Sequence, residues 1–433
     1  MVHVLLLASL GLGSSVLAAP NYAVPDVQPK NAVAIDPAPV GASVNDPLEA
    51  PMSLTYGPKF FDLIKKFGSE TILGFNRGLN NRTNTFAAVL KAKEKVAKYL
   101  WAIELGNEPD LYWKYWQYPV AEAPWNETQE GNNAADWAQD FVNHWKSPLP
   151  ILAGGGYAIP FEIEPDWPNL PYLIESSYNK TVKDATKVYN GHLYAFSNAT
   201  ADDLGPEMKH QRVVQDLNLL PISSAKAAGR PYILGETGFH GLDYEMDSTF
   251  GSAIQTTDKT LRALTLGIQR LFYHQGTINQ AFFNWWWSDH VNAPFYGAYF
   301  GALAVAGGDY IVASDDGTDP YAQYIVYKNG KAFKVVLINT DYYSGGGTRS
   351  ETKFTLTGLK SNSVKALRMT GPSSETTVPV TQTKSSPQPS IGGQSFSNKN
   401  CELSGKQNTE RLSVKKSKLE VTLKASEALI VYL

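Results

Sequence analysis

The sequence predicts an α/β protein, a (β/α)8-type barrel that is incomplete at its N-terminal strands, followed by a C-terminal antiparallel β-sandwich. Three observations predict it. From Thr71 onward short apolar runs alternate with amphipathic ones, the punctuation of a parallel sheet covered by helices. After about Val305 the hydrophobic period changes to two. Two apolar runs end on a carboxylate, in "GNEP" and "GETG", and strand ends are where parallel barrels assemble their chemistry.

The elements follow in chain order. "MVHVLLLASLGLGSSVLAAP" joins a short apolar run to the small-residue pattern Val16-Leu17-Ala18, so residues 1–18 read as a cleaved export signal. The run is shorter than the ~20 apolar residues that span a bilayer, and secretion is the expectation. Residues 19–44 form an N-terminal segment expected to pair with the β-sandwich, 45–304 the barrel region and 305–433 the sandwich. "TILGF", "LWAIEL", "LPILAGG", "KVYNGHLYAF", "YILGE" and "AFFNWWW" read as six buried strands, with a candidate seventh at Pro39 to Val44. Between them "TNTFAAVLKAKEKVAKYL", "NAADWAQDFVNHW", "EMKHQRVVQDLNLL" and "TDKTLRALTLGIQRLFYHQ" read as helices. In the second region "AQYIVYKNGKAFKVVLINTDYY" is a hairpin turning on Asn329-Gly330. The stretch Gly371 to Asn400, rich in Ser, Thr, Pro and Gly, reads as a long loop inside the sandwich, because strand patterns resume after it.

Composition narrows the partners. The 433 residues carry a formal net charge of -3, with no basic footprint for nucleic acid and no polybasic segment for a membrane surface. Four Asn-X-Thr sequons, at Asn81, Asn126, Asn179 and Asn198, agree with export and glycosylation. The single cysteine, Cys401, allows no internal disulfide, and seven histidines without ligand spacing predict no metal site. No cofactor is expected.

Strand parity bears on "LWAIELGNEP". Trp101, Ile103 and Leu105 should meet the helices, while Leu100, Ala102 and Glu104 face the barrel interior. A buried Glu104 needs a cationic or hydrogen-bonding partner, and because it lies below the strand end its expected role is structural. Glu108 stands at the strand end itself. It is either a solvated turn residue or half of a catalytic pair, and hydrolysis of a glycosidic bond needs a second carboxylate. "PYILGETGFHG" supplies one at Glu236, beside a glycine that leaves room for a ligand.

In order, "ELGNEPDLY", "HLYAF", "LGETG", "APFYGAYFGALAVAG" and the closing "KASEALIVYL" resemble glycoside hydrolase family 79, which contains fungal β-glucuronidases and heparanases. The resemblance runs from about Pro51 to Leu433. It implies a retaining β-glucuronidase in which Glu108 is the general acid and base and Glu236 the nucleophile, their carboxyl groups about 5–5.5 Å apart. The negative charge of Glu236 would help keep Glu108 protonated. It further implies that Asn107 bonds the sugar 2-hydroxyl, that Tyr194 orients the nucleophile, and that Tyr296 contacts the substrate. His192 is open between a barrel histidine and a contact. Trp285, Trp286 and Trp287 cannot all face one way, so at least one should line the site, with Trp286 taken as the candidate. Donors for a uronate carboxylate are expected in the loops after Glu236 and around Tyr296.

The chain departs from the family near Val44 to Pro51. Two β/α steps expected there are absent, so one wall of the sugar pocket should be missing. The alternative expectation is therefore an inactive or carbohydrate-binding relative built on a truncated barrel.

Overall fold

The computed structural model describes residues 2–4, 59–195, 203–241, 243–275, 285–286, 290–383 and 385–433. The 19–44 segment, the candidate strand at Pro39 to Val44, the sequon at Asn198, Trp287 and most of "AFFNWWW" lie outside the described residues.

Six parallel strands form one curled sheet in the order β2-β3-β4-β5-β6-β7. They are β2 Thr71–Phe75, β3 Leu100–Leu105, β4 Leu152–Tyr157, β5 Thr186–Leu193, β6 Tyr232–Thr237 and β7 Ile268–Tyr273. The longer helices on this sheet are α1 Phe60–Phe67, α2 Arg82–Val96, α3 Glu127–Trp145, α4 His210–Asn218, α5 Phe250–Thr265 and α6 Ala293–Val305. This is the incomplete (β/α)8-type barrel that the sequence predicts. No described helix is long and apolar enough to cross a membrane.

One strand replaces a predicted helix. The run Thr257 to Gln275 was expected to be helical throughout, but α5 ends at Thr265 and Ile268–Tyr273 pairs with β6. Gly267 explains the break. Its φ of +86° is the left-handed conformation that glycine adopts at helix ends, and the aromatic and branched residues beyond it suit a strand.

The sheet's outer face packs on the helices through Leu73, Phe75 and Ile103 against Phe86, Val89, Trp137 and Phe141. Its inner face holds a small cluster of Trp101, Ala102, Ala153, Val188 and Ile233. Trp101 was expected on the helix side and lies inside instead. The β2–β3 register shifts between Thr71 and Ile72, which pair with Leu100 and Ala102, so strict alternation breaks at Trp101.

The second region is a pair of antiparallel-based sheets. One holds β8 Tyr310–Ala313, β9 Tyr321–Lys328, β10 Lys331–Asn339, β12 Ser363–Thr370, β13 Ser390–Ile391, β16 Glu410–Ser413 and β18 Glu427–Tyr432. In the other, β11 Glu351–Thr357 pairs with β17 Lys418–Lys424 and, in parallel, with β1 Val2–Val4; β14 Ser395–Phe396 and β15 Leu403–Ser404 form a small ribbon. Leu337, Leu356, Leu423 and Val431 meet between the two main sheets. The β9–β10 hairpin turns on Asn329 and Gly330, with φ of +50° and +71°, the pair of positive values that a two-residue hairpin turn needs.

The long loop after Gly371 joins the two regions. Phe250 and Gly251 at the start of α5 donate backbone bonds to Thr376 and Ser374, and Phe396 packs edge-on to Phe295, Tyr296 and Tyr299 of α6.

Candidate active site

Three strand ends bring the candidate residues together. After β3 the chain turns through Gly106, Asn107 and Glu108. Gly106 sits at φ +91°, and a Cβ there would stand 2.5 Å from the Tyr112 hydroxyl, so only glycine fits. Glu108 itself is left-handed, at φ +49°, and its N–H donates to Gly156 O at 2.8 Å. A non-glycine residue in that region marks a turn held by its surroundings. Proline at 109 then forces the chain out of the strand and over the sheet.

Strand β5 presents Asn190, His192 and, just past its end, Tyr194 at alternate positions, so all three point one way. His192 Nδ1 lies 2.9 Å from Glu108 Oε1 and 3.9 Å from Glu236 Oε2. The Tyr194 hydroxyl donates to Glu236 Oε1 at 2.8 Å. One carboxylate oxygen of Glu108, one of Glu236 and a His192 nitrogen all lie within 4.8 Å of one another. The histidine is buried at 2% exposure, while the two carboxylates are 23% and 25% exposed, so both can be reached from solvent.

The electrostatics assign different states to the members. Burial alone would raise the Glu236 carboxyl, but His192, His274 and the Tyr194 hydroxyl outweigh it and hold it below the usual carboxylate range. Burial would likewise lower His192, yet the charge of Glu236 and the hydrogen bond to Glu108 raise it to about 9. At neutral pH this imidazole is therefore a cation between two acids. Glu108, His192 and Glu236 are also the one group among the described residues whose donors are spaced to hold a metal ion. The fit is poor, because an imidazolium has no free lone pair to give.

Beneath this layer, Glu104 points into the barrel as parity predicts. It accepts from the Asn190 amide, and Asn190 in turn accepts the Gly235 N–H at 2.7 Å, linking β3, β5 and β6. Burial pushes Glu104 up to about 7, against the opposing effects of His192 and Asn190. A Cβ at Gly235 would lie 2.1 Å from Asn190 Oδ1, so the glycine before Glu236 serves the network as well as the ligand space.

The remaining candidates divide. Asn107 is exposed next to Glu108, its backbone N–H donating to the Tyr112 hydroxyl at 3.3 Å. Trp286 is half-buried with its ring edge-on to Phe295 at 6.4 Å, and Trp285 is buried against Tyr273. The structure corrects the expectation for Tyr296. It is fully buried on α6, and its hydroxyl accepts the Phe396 N–H at 2.8 Å, so it holds the interface to the second region and cannot touch a substrate. The donors expected around it are therefore not supplied by Tyr296. Asn81, Asn126 and Asn179 each cap a helix N-terminus, accepting from Asn84 N, from Thr128 and Gln129 N, and from Val182 N.

Sequence reading missed four contributors. Asn190 was legible as the i−2 neighbour of His192 on one strand face. His274 was hidden by the mistaken helix. Asp110 accepts Ala158 and Ile159 N–H at 3.0 and 2.8 Å, and burial with the charge of Glu108 raises it to about 8. Arg77 is buried beneath Gly106, with Nη2 2.6 Å from Glu130 Oε1 and Nη1 3.1 Å from Asn133 Oδ1.

Comparison with known proteins agrees with this arrangement. Residues 323–430 match the glycosyl hydrolase family 79 C-terminal beta domain. The chain is 28% identical over 328 residues to a β-glucuronidase of Aspergillus niger, covering 67% of this chain and 57% of that protein. It is 26% identical over 280 residues to a β-glucuronidase of Neurospora crassa, covering 59% and 49%. It thus spans about half the length of these curated relatives. It superposes on the crystal structure of a 4-O-α-L-rhamnosyl-β-D-glucuronidase from Fusarium oxysporum with a TM-score of 0.81 and 30% identity, covering 93% of this chain and 86% of that one. An α-L-arabinofuranosidase from Thermotoga maritima, at 13% identity and a TM-score of 0.52, shares the fold alone; the match covers 87% of this chain and 78% of that one.

Proposed function

The chain belongs to glycoside hydrolase family 79, and from that membership we propose that it is a secreted retaining β-glucuronidase releasing terminal glucuronic acid by double displacement. The observation that carries the mechanism is the carboxylate spacing. Oxygens of Glu108 and Glu236 within 4.8 Å suit the short separation of retaining enzymes, about 5–5.5 Å, and leave no room for the water that inverting enzymes hold across about 6.5–9.5 Å. The glucuronide preference rests on the names of the relatives, and export on the apolar N-terminus.

In this mechanism Glu108 gives its proton to the glycosidic oxygen while the Glu236 carboxylate attacks the anomeric carbon. The aglycone leaves and a glycosyl ester forms on Glu236. Water then enters, Glu108 takes its proton, and the ester is cleaved to release the sugar with retained configuration. A carboxyl held below the usual range by His192, His274 and Tyr194, together with the bond from Tyr194, keeps Glu236 charged and aimed. His192, 2.9 Å from Glu108, holds that carboxyl in position through both steps. In this reading Asn107, exposed next to Glu108, bonds the sugar 2-hydroxyl.

Hydrolysis of an aryl β-glucuronide followed by proton NMR tests the proposal, since the β-anomer of glucuronic acid should appear first. An α-anomer as first product would overturn retention. Glu236→Ala should abolish turnover, whereas Glu108→Ala should keep activity on substrates whose leaving group needs no protonation; the opposite pattern would exchange the roles. The second reading, a carbohydrate-binding relative, is favoured by one observation: among the described residues the sheet stops at β2 and β7. Thermal protection by a glucuronide without any turnover would select it.

A further inference from the structure

The structure assigns Lys259 a place in the reaction as a positioning residue, one that holds the turn after β6 and thereby the contact between Tyr194 and Glu236. The role rests on the proposed function, which makes Glu236 the nucleophile.

Lys259 comes from α5, a helix buried along most of its length, and is itself 1% exposed. Its ammonium donates to Gly238 O, two residues past Glu236, and to Thr237 Oγ1 at 3.5 Å. The acids around it are engaged elsewhere. Asp216 pairs with Arg212 at 2.7 Å, Asp247 accepts the His240 and Gly241 N–H groups at 2.7 and 2.9 Å, and Glu207 faces His240 at 3.9 Å. Burial outweighs the charges of these three acids and, with Arg212 acting in the same sense, lowers the ammonium to about 8. A buried cation that pairs with no carboxylate weakens a fold, and an apolar side chain of similar length would sit in α5 without that cost. What the ammonium supplies, and an apolar side chain cannot, is a donor to the turn that carries the nucleophile.

That turn also seats Tyr194. The Thr237 hydroxyl donates at 2.6 Å to the carbonyl of Leu193, the residue before Tyr194; the N–H of Ala195, the residue after it, donates at 2.7 Å to Phe239 O. Thr237 O accepts the His274 N–H at 2.8 Å, which ties the same turn to the end of β7. Gly241 lies against Tyr194, where a Cβ would stand 2.6 Å from the ring. Tyr194 is thus held by the residues that follow Glu236, and Lys259 bonds two of them. Without the ammonium the buried Gly238 carbonyl loses that donor, and the peptide between Gly238 and Phe239 is free to turn. Such a turn draws Phe239 O off Ala195 N and disturbs the 2.8 Å bond from Tyr194 to Glu236. Misplacement by about 1 Å can cost about 10²-fold in rate, so a smaller shift should read as about tenfold.

The test compares wild type with Lys259→Met by the rate of labelling with 2-deoxy-2-fluoro-β-glucuronyl fluoride, in which the Glu236 carboxylate bonds the anomeric carbon and fluoride leaves without an acid. The rate should fall about tenfold in Lys259→Met, and most of that loss should vanish in a Tyr194→Phe background, because both changes act on one contact. No loss, or the same loss in both backgrounds, would overturn the positioning role. Carbon NMR of protein labelled at the tyrosine ζ carbon gives a reading that needs no turnover. The Tyr194 resonance, identified by its disappearance in Tyr194→Phe, should move in Lys259→Met toward its position in Glu236→Gln; an unmoved resonance would also overturn the role. Should Lys259→Met not fold, Thr237→Val breaks the same link from the other end and carries the same expectations in both measurements. If wild type takes no label while the Tyr194 resonance moves, the glucuronidase reading fails and the positioning stands.

Discussion

His192 sits where its charge decides how two acids behave. Placed 2.9 Å from Glu108 and 3.9 Å from Glu236, and raised to about 9 because the charge of Glu236 and the bond to Glu108 outweigh its burial, it stays cationic through neutral pH. The sign of its contribution follows. A histidine raised in the folded state adds stability fully below about 6.5, and that stability is lost as pH rises through about 9. The difference in Tm between wild type and His192→Gln should therefore shrink between pH 6.5 and 9.5; a constant difference would contradict the ion-pair reading. Tyr194 makes the complementary contact, donating to Glu236 at 2.8 Å. A hydrogen bond to a charged group contributes about 1.5–3 kcal/mol, so Tyr194→Phe should lower kcat/KM about 10–150-fold. Its Tm should move far less than its rate, and a rate within twofold of wild type would remove Tyr194 from the positioning of the nucleophile.

Two elements from different regions are clamped by another histidine. His210 opens α4, with Nδ1 2.8 Å from Asp258 of α5 and Nε2 2.9 Å from Asp315 in the loop between β8 and β9; the Tyr324 hydroxyl of β9 also bonds Asp258. Burial would lower this imidazole, but the two aspartates hold it at about 10. Breaking such a buried pair strands a charge and costs about 3–5 kcal/mol. His210→Gln should lower the Tm at pH 7 by several degrees, and the wild-type advantage should fade as pH rises toward 10; equal stability at pH 7 would show that the clamp is dispensable. Nothing in "EMKHQRVV" announced this partner, because the acids that receive His210 come from residues 48 and 105 positions away. Local signals were legible where the backbone itself demanded a residue type. The Asn329-Gly330 turn and the apolar runs ending at Glu108 and Glu236 are of this kind. The misread elements lacked such a signal. β7 follows α5 with Gly267 as its sole punctuation, and α6 is apolar almost all round, so period could not tell that Tyr296 faces Phe396 and not the cleft. Trp101 was misplaced because a register shift in a neighbouring strand pair leaves no trace in one strand's own sequence.

At the scale of the molecule, a barrel that is unclosed among the described residues bears on a site that spans its strand ends. The six strands run from β2 to β7 in one sheet, and an open edge leaves backbone donors and acceptors unpaired. The floor is nevertheless drawn together. Arg270 of β7 reaches Glu70, just before β2, at 2.6 Å, and its guanidinium lies over Trp101 inside the barrel at 4.1 Å. That bridge is at the strands' N-terminal ends, opposite the carboxylates, so it ties β7 to the start of β2 away from the candidate site. Glu108, His192, Tyr194 and Glu236 come from β3, β5 and β6, in the middle of the sheet, and their mutual geometry does not depend on the edges. The chemistry should therefore survive while the pocket is loose on the side of Thr71–Phe75. Misplacement of a substrate by about 1 Å can cost about 10²-fold in rate. On the proposed β-glucuronidase activity, this chain should hydrolyse a terminal glucuronide with kcat/KM at least about 10²-fold below the Aspergillus niger β-glucuronidase assayed on the same substrate, most of the loss appearing in kcat. Arg270→Ala, which frees the floor, should lower it further. Activity equal to the relative's would show that the missing wall is dispensable, and an unchanged rate in Arg270→Ala would show that the floor bridge does not shape the site.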